Sequence, residues 1–149
     1  MSTYTQLLYQ IVFSTKNRKP VLNKDKRKEL YKYIWGILKN KKCHLYQING
    51  IENHIHIITH IHPSIAISSL VKDIKLASSK FIKKNELFSD FQGWQSGYGA
   101  FTYSIEAKDR LIEYVRNQEE HHKLISFLEE YKALLNEHDV SFNEQYLPK

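Results

Sequence analysis

Residues 43–61 read CHLYQINGIENHIHIITHI, and this stretch decides the fold. The dipeptide formed by Asn49 and Gly50 is typical of a two-residue hairpin turn, where both central residues adopt positive φ. The residues on either side predict a strand over residues 43–48 and an antiparallel partner strand over residues 51–61. The sequence therefore predicts a β-hairpin in the first half of the chain.

The second predicted strand carries imidazoles on one face. Side chains alternate between the two faces of a strand, so His54 and His56 point the same way while Ile55 and Ile57 point into a core. Two imidazoles placed two residues apart on a rigid strand can share one metal ion. The same pattern also describes an ordinary polar sheet face, and both interpretations stay open from these residues alone.

Further elements flank the hairpin on both sides. Strands are predicted over residues 4–14 and 100–105, and helices over Lys24–Asn40, 65–84, 107–117 and 123–137. The order of strand, helix, strand, strand, helix and strand is that of the split βαβ fold. We therefore predict a ferredoxin-like α+β domain over residues 1–149, in which helices cover one face of a four-stranded antiparallel sheet and a C-terminal helix follows. The other face must be buried by a partner, bind a ligand or carry polar groups.

Composition excludes several classes of protein. The 149 residues are 42% hydrophobic and 26% charged, which fits a globular domain and argues against disorder. A single cysteine, Cys43, excludes an internal disulfide framework and a cysteine-only zinc cluster. No apolar run approaches the length of a membrane span, and the N-terminus lacks the pattern of a signal peptide. We expect a cytoplasmic protein with no membrane partner.

Positive charge is concentrated in the first half of the chain. The formal net charge is +6, and residues 16–42 contain eleven basic and two acidic residues. This distribution indicates either a polyanion-binding face or a solvated, lysine-rich surface. Because most of the cations are lysines, contact with phosphates is favoured over bidentate reading of base edges. The candidate phosphate contacts are Lys16, Arg18, Lys19, Lys72, Lys75, Lys80, Lys83 and Lys84.

A second chemical pattern lies in the predicted helix over residues 107–117 and its possible continuation. Tyr114 and Gln118 are four residues apart, so they share one face of a helix. A tyrosine at such a spacing is usually a packing residue. An amide oxygen, however, suits a hard cation such as Mg²⁺ or Mn²⁺. Two imidazoles and one amide oxygen would leave coordination positions open for phosphate oxygens, as a Lewis-acid phosphoryl-transfer site requires.

Taken together, these motifs resemble a known family. The sequence from His54 to His56 resembles the His-hydrophobic-His motif of the HUH nucleases. The sequence from Tyr114 to Gln118 resembles the catalytic-helix signature of the single-tyrosine transposases of the insertion sequence 200/605 group. Residues 12–16, 94–101 and 117–122 are similar to the same group, so the resemblance covers about residues 4–146.

The resemblance implies a mechanism and a set of roles. His54, His56 and Gln118 would be the ligands of a divalent metal, Mg²⁺ or Mn²⁺, and Tyr114 would be the nucleophile. The substrate would be single-stranded DNA, with hairpin-containing ends of a small insertion sequence as the DNA partner. Attack by the tyrosine would leave a 5′-phosphotyrosine link and a free 3′-hydroxyl, which later rejoins the strands during excision and insertion.

Members of this family act as homodimers, so active sites shared between chains are also implied. His54 and His56 of one chain would then meet Tyr114 and Gln118 of the other. Residues 101–109 contain no glycine, so a helix that swings between subunits would need another hinge.

Three other functions remain open from the sequence. They are a host-adopted HUH nickase, a non-catalytic single-stranded nucleic-acid-binding module and a His-x-His metallohydrolase. The aromatic residues Trp94, Tyr98 and Phe101 are candidates for stacking on unpaired bases, although aromatic residues near glycines often pack loops or interfaces.

Overall fold

The computed structural model describes residues 1–147 and contains one four-stranded sheet. The strands are β1 (Leu8–Ser14), β2 (His44–Ile51), β3 (His54–His60) and β4 (Gly99–Tyr103). Their order across the sheet is β2-β3-β1-β4, and every neighbouring pair is antiparallel. This order confirms the predicted ferredoxin-like α+β fold.

The first face of the sheet is covered by helices α1 (Lys24–Asn40) and α2 (Ile67–Lys84). Both helices place apolar residues at intervals of three, four or eight positions, which keeps them on one stripe. The fully buried members are Leu30, Ile34 and Leu38 on α1 and Leu70 and Ile74 on α2. Ile55 and Ile57 of β3 join this core, as the alternation predicted.

The second face is covered by the C-terminal part of the same chain. Helices α3 (Lys108–Arg116), α4 (Gln118–His121) and α5 (Phe127–Glu137) fold back over it. Two smaller apolar clusters hold these helices: Leu8, Ile58, Ala107, Leu111 and Val115 form one, and Val12, Phe101, Phe127, Leu134 and Leu135 form the other. Within the described residues, no second chain is therefore needed to bury this face.

The predicted hairpin turn at Asn49 and Gly50 is wrong. Both residues belong to β2, where Gly50 pairs with Ile55, and the chain turns at Glu52 and Asn53 instead. Gly50 is required for a different reason: a Cβ there would overlap the carbonyl oxygen of His54. The glycine thus marks a close approach of two strands rather than a turn.

Several other element boundaries also differ from the predictions, by one to four residues. Strand β1 begins at Leu8 rather than residue 4, since Tyr4 is exposed and has no sheet to pack on. The last long helix begins at Phe127 rather than residue 123, because Ser126 and Glu129 form a capping box. The helix predicted over residues 107–117 ends at Arg116. Through residue 147, none of the helices has the length and apolar character of a membrane span.

Candidate active site

The two imidazoles of β3 lie on the second face, as predicted, and are fully buried beneath the C-terminal helices. The ring centroids of His54 and His56 are 5.0 Å apart. Nδ1 of His54 lies 2.8 Å from Oδ1 of Asn53, and Nδ1 of His56 lies 2.7 Å from Oε1 of Gln10. The Gln10 amide group in turn donates to the hydroxyl of Tyr103 at 2.9 Å. These contacts fix the orientation of both rings.

Tyr114 and Gln118 lie beside these imidazoles, on the helices that cover the second face of the sheet. The backbone leaves helical geometry at Asn117, with φ −93° and ψ 21°, so the two residues sit on either side of a break. Gln118 is fully buried, and its Oε1 lies 3.0 Å from Nε2 of His54. The Tyr114 hydroxyl donates a hydrogen bond to Glu130. One chain therefore brings all four predicted residues into one cluster.

Glu130 and His122 also belong to this cluster, and neither was predicted as a site residue. Oε1 of Glu130 lies 2.9 Å from Nε2 of His56, 3.0 Å from Nε2 of His122 and 3.4 Å from Nε2 of His54. His54, His56, His122 and Glu130 together form a group whose ligand atoms all lie within 4.8 Å of one another. Nε2 of His122 is also 3.0 Å from Oε1 of Gln118.

A signal for Glu130 exists in the sequence. It lies on the buried stripe of α5, three residues after Phe127 and four before Leu134. An acidic residue in an apolar stripe is rarely buried unless it is paired. For His122 no comparable signal distinguishes it from its neighbour His121, which is partly exposed.

The donor atoms of the cluster fit a bound cation. The Nδ1 atoms of His54, His56 and His122 each face an oxygen that only accepts, so Nδ1 carries a proton in each ring. A neutral ring then presents an Nε2 lone pair to a cation, whereas a protonated ring donates from Nε2 to the oxygen that faces it. The Gln118 amide donates to Glu130 through Nε2 at 2.9 Å, which leaves its Oε1 facing the imidazoles. With the rings neutral, three nitrogen lone pairs and two oxygens therefore converge, an arrangement that a metal ion satisfies.

The electrostatics of the cluster follow from its burial. Burial lowers the pKa of His54 to about 4, which favours the neutral, ligating form. Burial on its own would raise the pKa of Glu130, but the facing imidazoles, His56 foremost, hold it well below its usual range. Burial and then the Glu130 charge raise the pKa of Tyr114 above its ordinary value. The phenol is therefore protonated at neutral pH and needs assistance to act as a nucleophile.

A cavity of about 330 Å³ opens beside Tyr114. Its lining combines apolar surface with a few polar groups, including Tyr103, Arg110, His121 and Glu130. Nε2 of His121 lies 3.3 Å from the Tyr114 hydroxyl. Tyr114 is thus one of the residues that line a cavity at the lower end of the size range of ligand pockets.

The basic loop after β1 lies at the end of the sheet that carries His54. Ser14, the last residue of β1, pairs with His54, and the loop with Lys16, Arg18 and Lys19 follows directly. Lys16 and Lys19 are exposed. Both lysines therefore lie at the same end of the sheet as His54.

The cations of α2 are placed differently, because α2 packs on the opposite face of the sheet. Four of the five predicted phosphate contacts there are exposed: Lys72, Lys80, Lys83 and Lys84. Lys75 is half-buried and donates to the carbonyl oxygens of Gln95 and Gly97. It thus holds the loop around residues 95–97.

The three candidate stacking residues also differ in placement. Trp94 contacts the rings of Phe13 and Phe91, and its indole nitrogen donates to Ser78. Phe101 is buried in the second face of the sheet. Tyr98 is 37% exposed, so among these three it is the one accessible to an unpaired base.

Helix α4 is fastened to α1 by a charged contact. Arg27 is buried and donates to Oε1 of Glu119 at 3.0 Å and to the carbonyl oxygen of Leu22 at 3.0 Å. Lys24 adds a second ion pair to Glu119 at 3.1 Å. Because Glu119 follows Gln118 directly, this contact helps to hold the amide in place.

Comparison with known families decides the assignment. A family model described as "Transposase IS200 like" matches residues 3–118. The chain belongs to the IS200-like transposase family. This membership confirms the resemblance read from the sequence and makes the protein a transposase that acts on DNA.

Two solved structures share the fold of this IS200-like transposase. One is a candidate transposase from Deinococcus radiodurans, with 21% identity, a TM-score of 0.63, and coverage of 79% of this chain and 95% of the other. The second is a REP-associated tyrosine transposase bound to a REP hairpin, with 14% identity, a TM-score of 0.62, and coverage of 84% and 76%. No curated protein matches the sequence significantly.

Proposed function

We propose that this IS200-like transposase cuts and rejoins single-stranded DNA with Tyr114 as the nucleophile. The observation that carries the proposal is the meeting of the Tyr114 hydroxyl, two buried imidazoles and the Gln118 amide in one cluster. Attack on a scissile phosphate would give a 5′-phosphotyrosine link and release a 3′-hydroxyl. Because one phosphodiester is exchanged for another, the reaction needs no external energy source.

A divalent metal, Mg²⁺ or Mn²⁺, is part of the proposal. His54, His56 and Gln118 would hold it, and the converging lone pairs of the cluster support this role. When bound, such an ion polarises a phosphate and stabilises charge on its oxygens. The protein side chains orient the phenol, and the C-terminal helices exclude water from the buried imidazoles.

Hairpin-containing single-stranded DNA is the proposed partner. The structurally similar REP-associated transposase is bound to a REP hairpin, and the exposed cations of the loop over residues 16–19 supply phosphate contacts. A homodimer remains part of the proposal. Since one chain supplies every member of the cluster, such a dimer would pair two complete sites rather than exchange α3 between them.

The test is the formation of a covalent adduct on labelled single-stranded oligonucleotides with Mn²⁺ or Mg²⁺, detected after denaturation. The adduct is expected with the unaltered protein and absent with Tyr114→Phe or His54→Ala. Tyr4→Phe is the matched control, because Tyr4 is 85% exposed and lies outside the cluster. Binding without an adduct would indicate a non-catalytic module, and cleavage without an adduct would indicate a hydrolase; either result contradicts the proposal.

A further inference from the structure

Glu130 joins the two halves of the site through one carboxylate. Its Oε1 faces the imidazoles, at 2.9 Å from Nε2 of His56 and 3.0 Å from Nε2 of His122. Its Oε2 accepts hydrogen bonds from the Tyr114 hydroxyl and, at 2.9 Å, from the Gln118 amide. Every oxygen of this side chain is therefore directed at a residue of the proposed reaction.

Burying this carboxylate removes its charge from water, which costs free energy. The side chain is 1% exposed and stands on the apolar stripe of α5, where a leucine would pack without desolvating a charge. The imidazoles and a bound cation account for Oε1, whereas Oε2 faces the Tyr114 hydroxyl. The contact with Tyr114 gives the buried charge a chemical role.

The contacts of Oε1 and the Gln118 amide also fix the direction of Oε2. The carboxylate cannot rotate away from the phenol without losing its interactions with His56, His122 and Gln118. A proton acceptor that is held in hydrogen-bond contact with the nucleophile in advance meets the geometric requirement for general base catalysis.

We propose that Glu130 is the catalytic base of the site, which takes the hydroxyl proton of Tyr114 on Oε2 as the phenol oxygen attacks phosphorus. This inference rests on the function proposed above. In the step, the Tyr114 O–H bond breaks and an O–H bond forms on Glu130, while a tyrosine O–P bond replaces the P–O3′ bond. The 3′ oxygen leaves with the electron pair and takes a proton from water. The resulting hydroxide then removes the proton from Glu130, so atoms and charges balance.

A second basic group lies near the phenol. Nε2 of His121 is 3.3 Å from the Tyr114 hydroxyl, and the ring is partly exposed. Glu130 forms the shorter contact and is held by the rest of the cluster, whereas His121 stands at the edge of the cavity. The two candidates are distinguished by comparing Glu130→Gln with His121→Asn.

The first measurement is the rate of adduct formation at saturating Mn²⁺, with Mn²⁺ binding followed separately by calorimetry. Glu130→Gln keeps the shape of the side chain but removes its basicity, so the rate is expected to fall by about 10²–10⁴-fold. His121→Asn is expected to change it by less than about 10-fold. Glu29→Gln changes an exposed carboxylate on α1, on the opposite face of the sheet; it is the matched control and is expected to react at the rate of the unaltered protein.

The second measurement is chemical rescue. Glu130→Ala leaves space for a small carboxylate, so added formate is expected to restore part of the adduct rate, whereas acetamide is not. The fold of each variant is checked by circular dichroism, and Mn²⁺ binding shows whether the ligand set persists.

Several results would overturn the role of Glu130. They are a normal rate for Glu130→Gln at saturating Mn²⁺, a folded Glu130→Ala that binds Mn²⁺ but gains nothing from formate, or a larger loss in His121→Asn. If the unaltered protein forms no adduct, the proposed function itself fails instead.

Discussion

Truncation of Val115 tests whether α3, the helix that carries Tyr114, packs on the sheet of its own chain. Val115 is fully buried in the cluster with Leu8, Ile58, Ala107 and Leu111. Val115→Ala removes two methyl groups, worth about 1.6 kcal/mol in transfer free energy. A residual cavity of roughly 50 Å³ adds about 1 kcal/mol. The expected loss of unfolding free energy is therefore about 2–3 kcal/mol, or a fall in Tm of roughly 4–12 °C.

The assay is urea unfolding together with calorimetry at two protein concentrations that differ tenfold. Val140→Ala is the matched control, because Val140 is 44% exposed and its truncation is expected to change stability by less than about 0.5 kcal/mol. The loss in Val115→Ala is expected to be independent of concentration. A loss as small as that of the control, or a difference from the unaltered protein that itself changes with protein concentration, would refute packing of α3 within one chain.

Three further predictions concern pH, packing and DNA contact. In metal-free protein, the pKa of His54 is lowered to about 4 in the folded state. As pH falls below about 6.5, the unfolded chain therefore binds a proton at His54 that the folded chain does not, and the free energy of unfolding decreases until pH reaches about 4. The expected decrease in the free energy of unfolding is about 3 kcal/mol. Urea unfolding of the chelated protein should show it, and His54→Asn should make the free energy of unfolding depend less on pH over this range. In Gly50→Ala, the new Cβ would overlap the His54 carbonyl and lie 2.9 Å from Cα of Ile55. The variant should lose about 3 kcal/mol of unfolding free energy or fail to fold, which thermal unfolding measures. Lys16→Gln should weaken single-stranded DNA binding and lower its salt dependence, whereas Lys80→Gln, on the opposite face of the sheet, should change neither. Equal losses of affinity in the two variants, measured by DNA titration at several salt concentrations, would contradict the proposed DNA contacts.

Local patterns in the sequence were enough to predict the strand that carries the site. The alternation of Ile55 and Ile57 with His54 and His56 determines which face is apolar, and the structure buries the two sets on opposite faces. The bounds of α1 were also predicted, because the apolar spacing and the flanking residues agree. The position of the hairpin turn was not predicted, because Asn49 and Gly50 satisfy a turn pattern, whereas Gly50 is needed for the close approach of two strands.

The rest of the site depends on contacts that local patterns do not encode. Glu130 meets His56 across 74 positions of sequence, and only the return of α5 over the sheet brings them together. His122 joins the cluster because the turn before Ser126 directs its ring inwards, where its Nδ1 contacts Ile125. The sequence likewise left open whether Tyr114 would meet the imidazoles of its own chain.

The most direct measurement is the mass of the peptide that carries the DNA after reaction. Incubation with a single-stranded oligonucleotide and Mn²⁺, followed by nuclease and trypsin, should yield residues 111–116, LIEYVR, with a nucleotide attached through phosphate to Tyr114. Cleaved DNA alongside this peptide in unmodified form, or an adduct mapped to another peptide, would contradict the account.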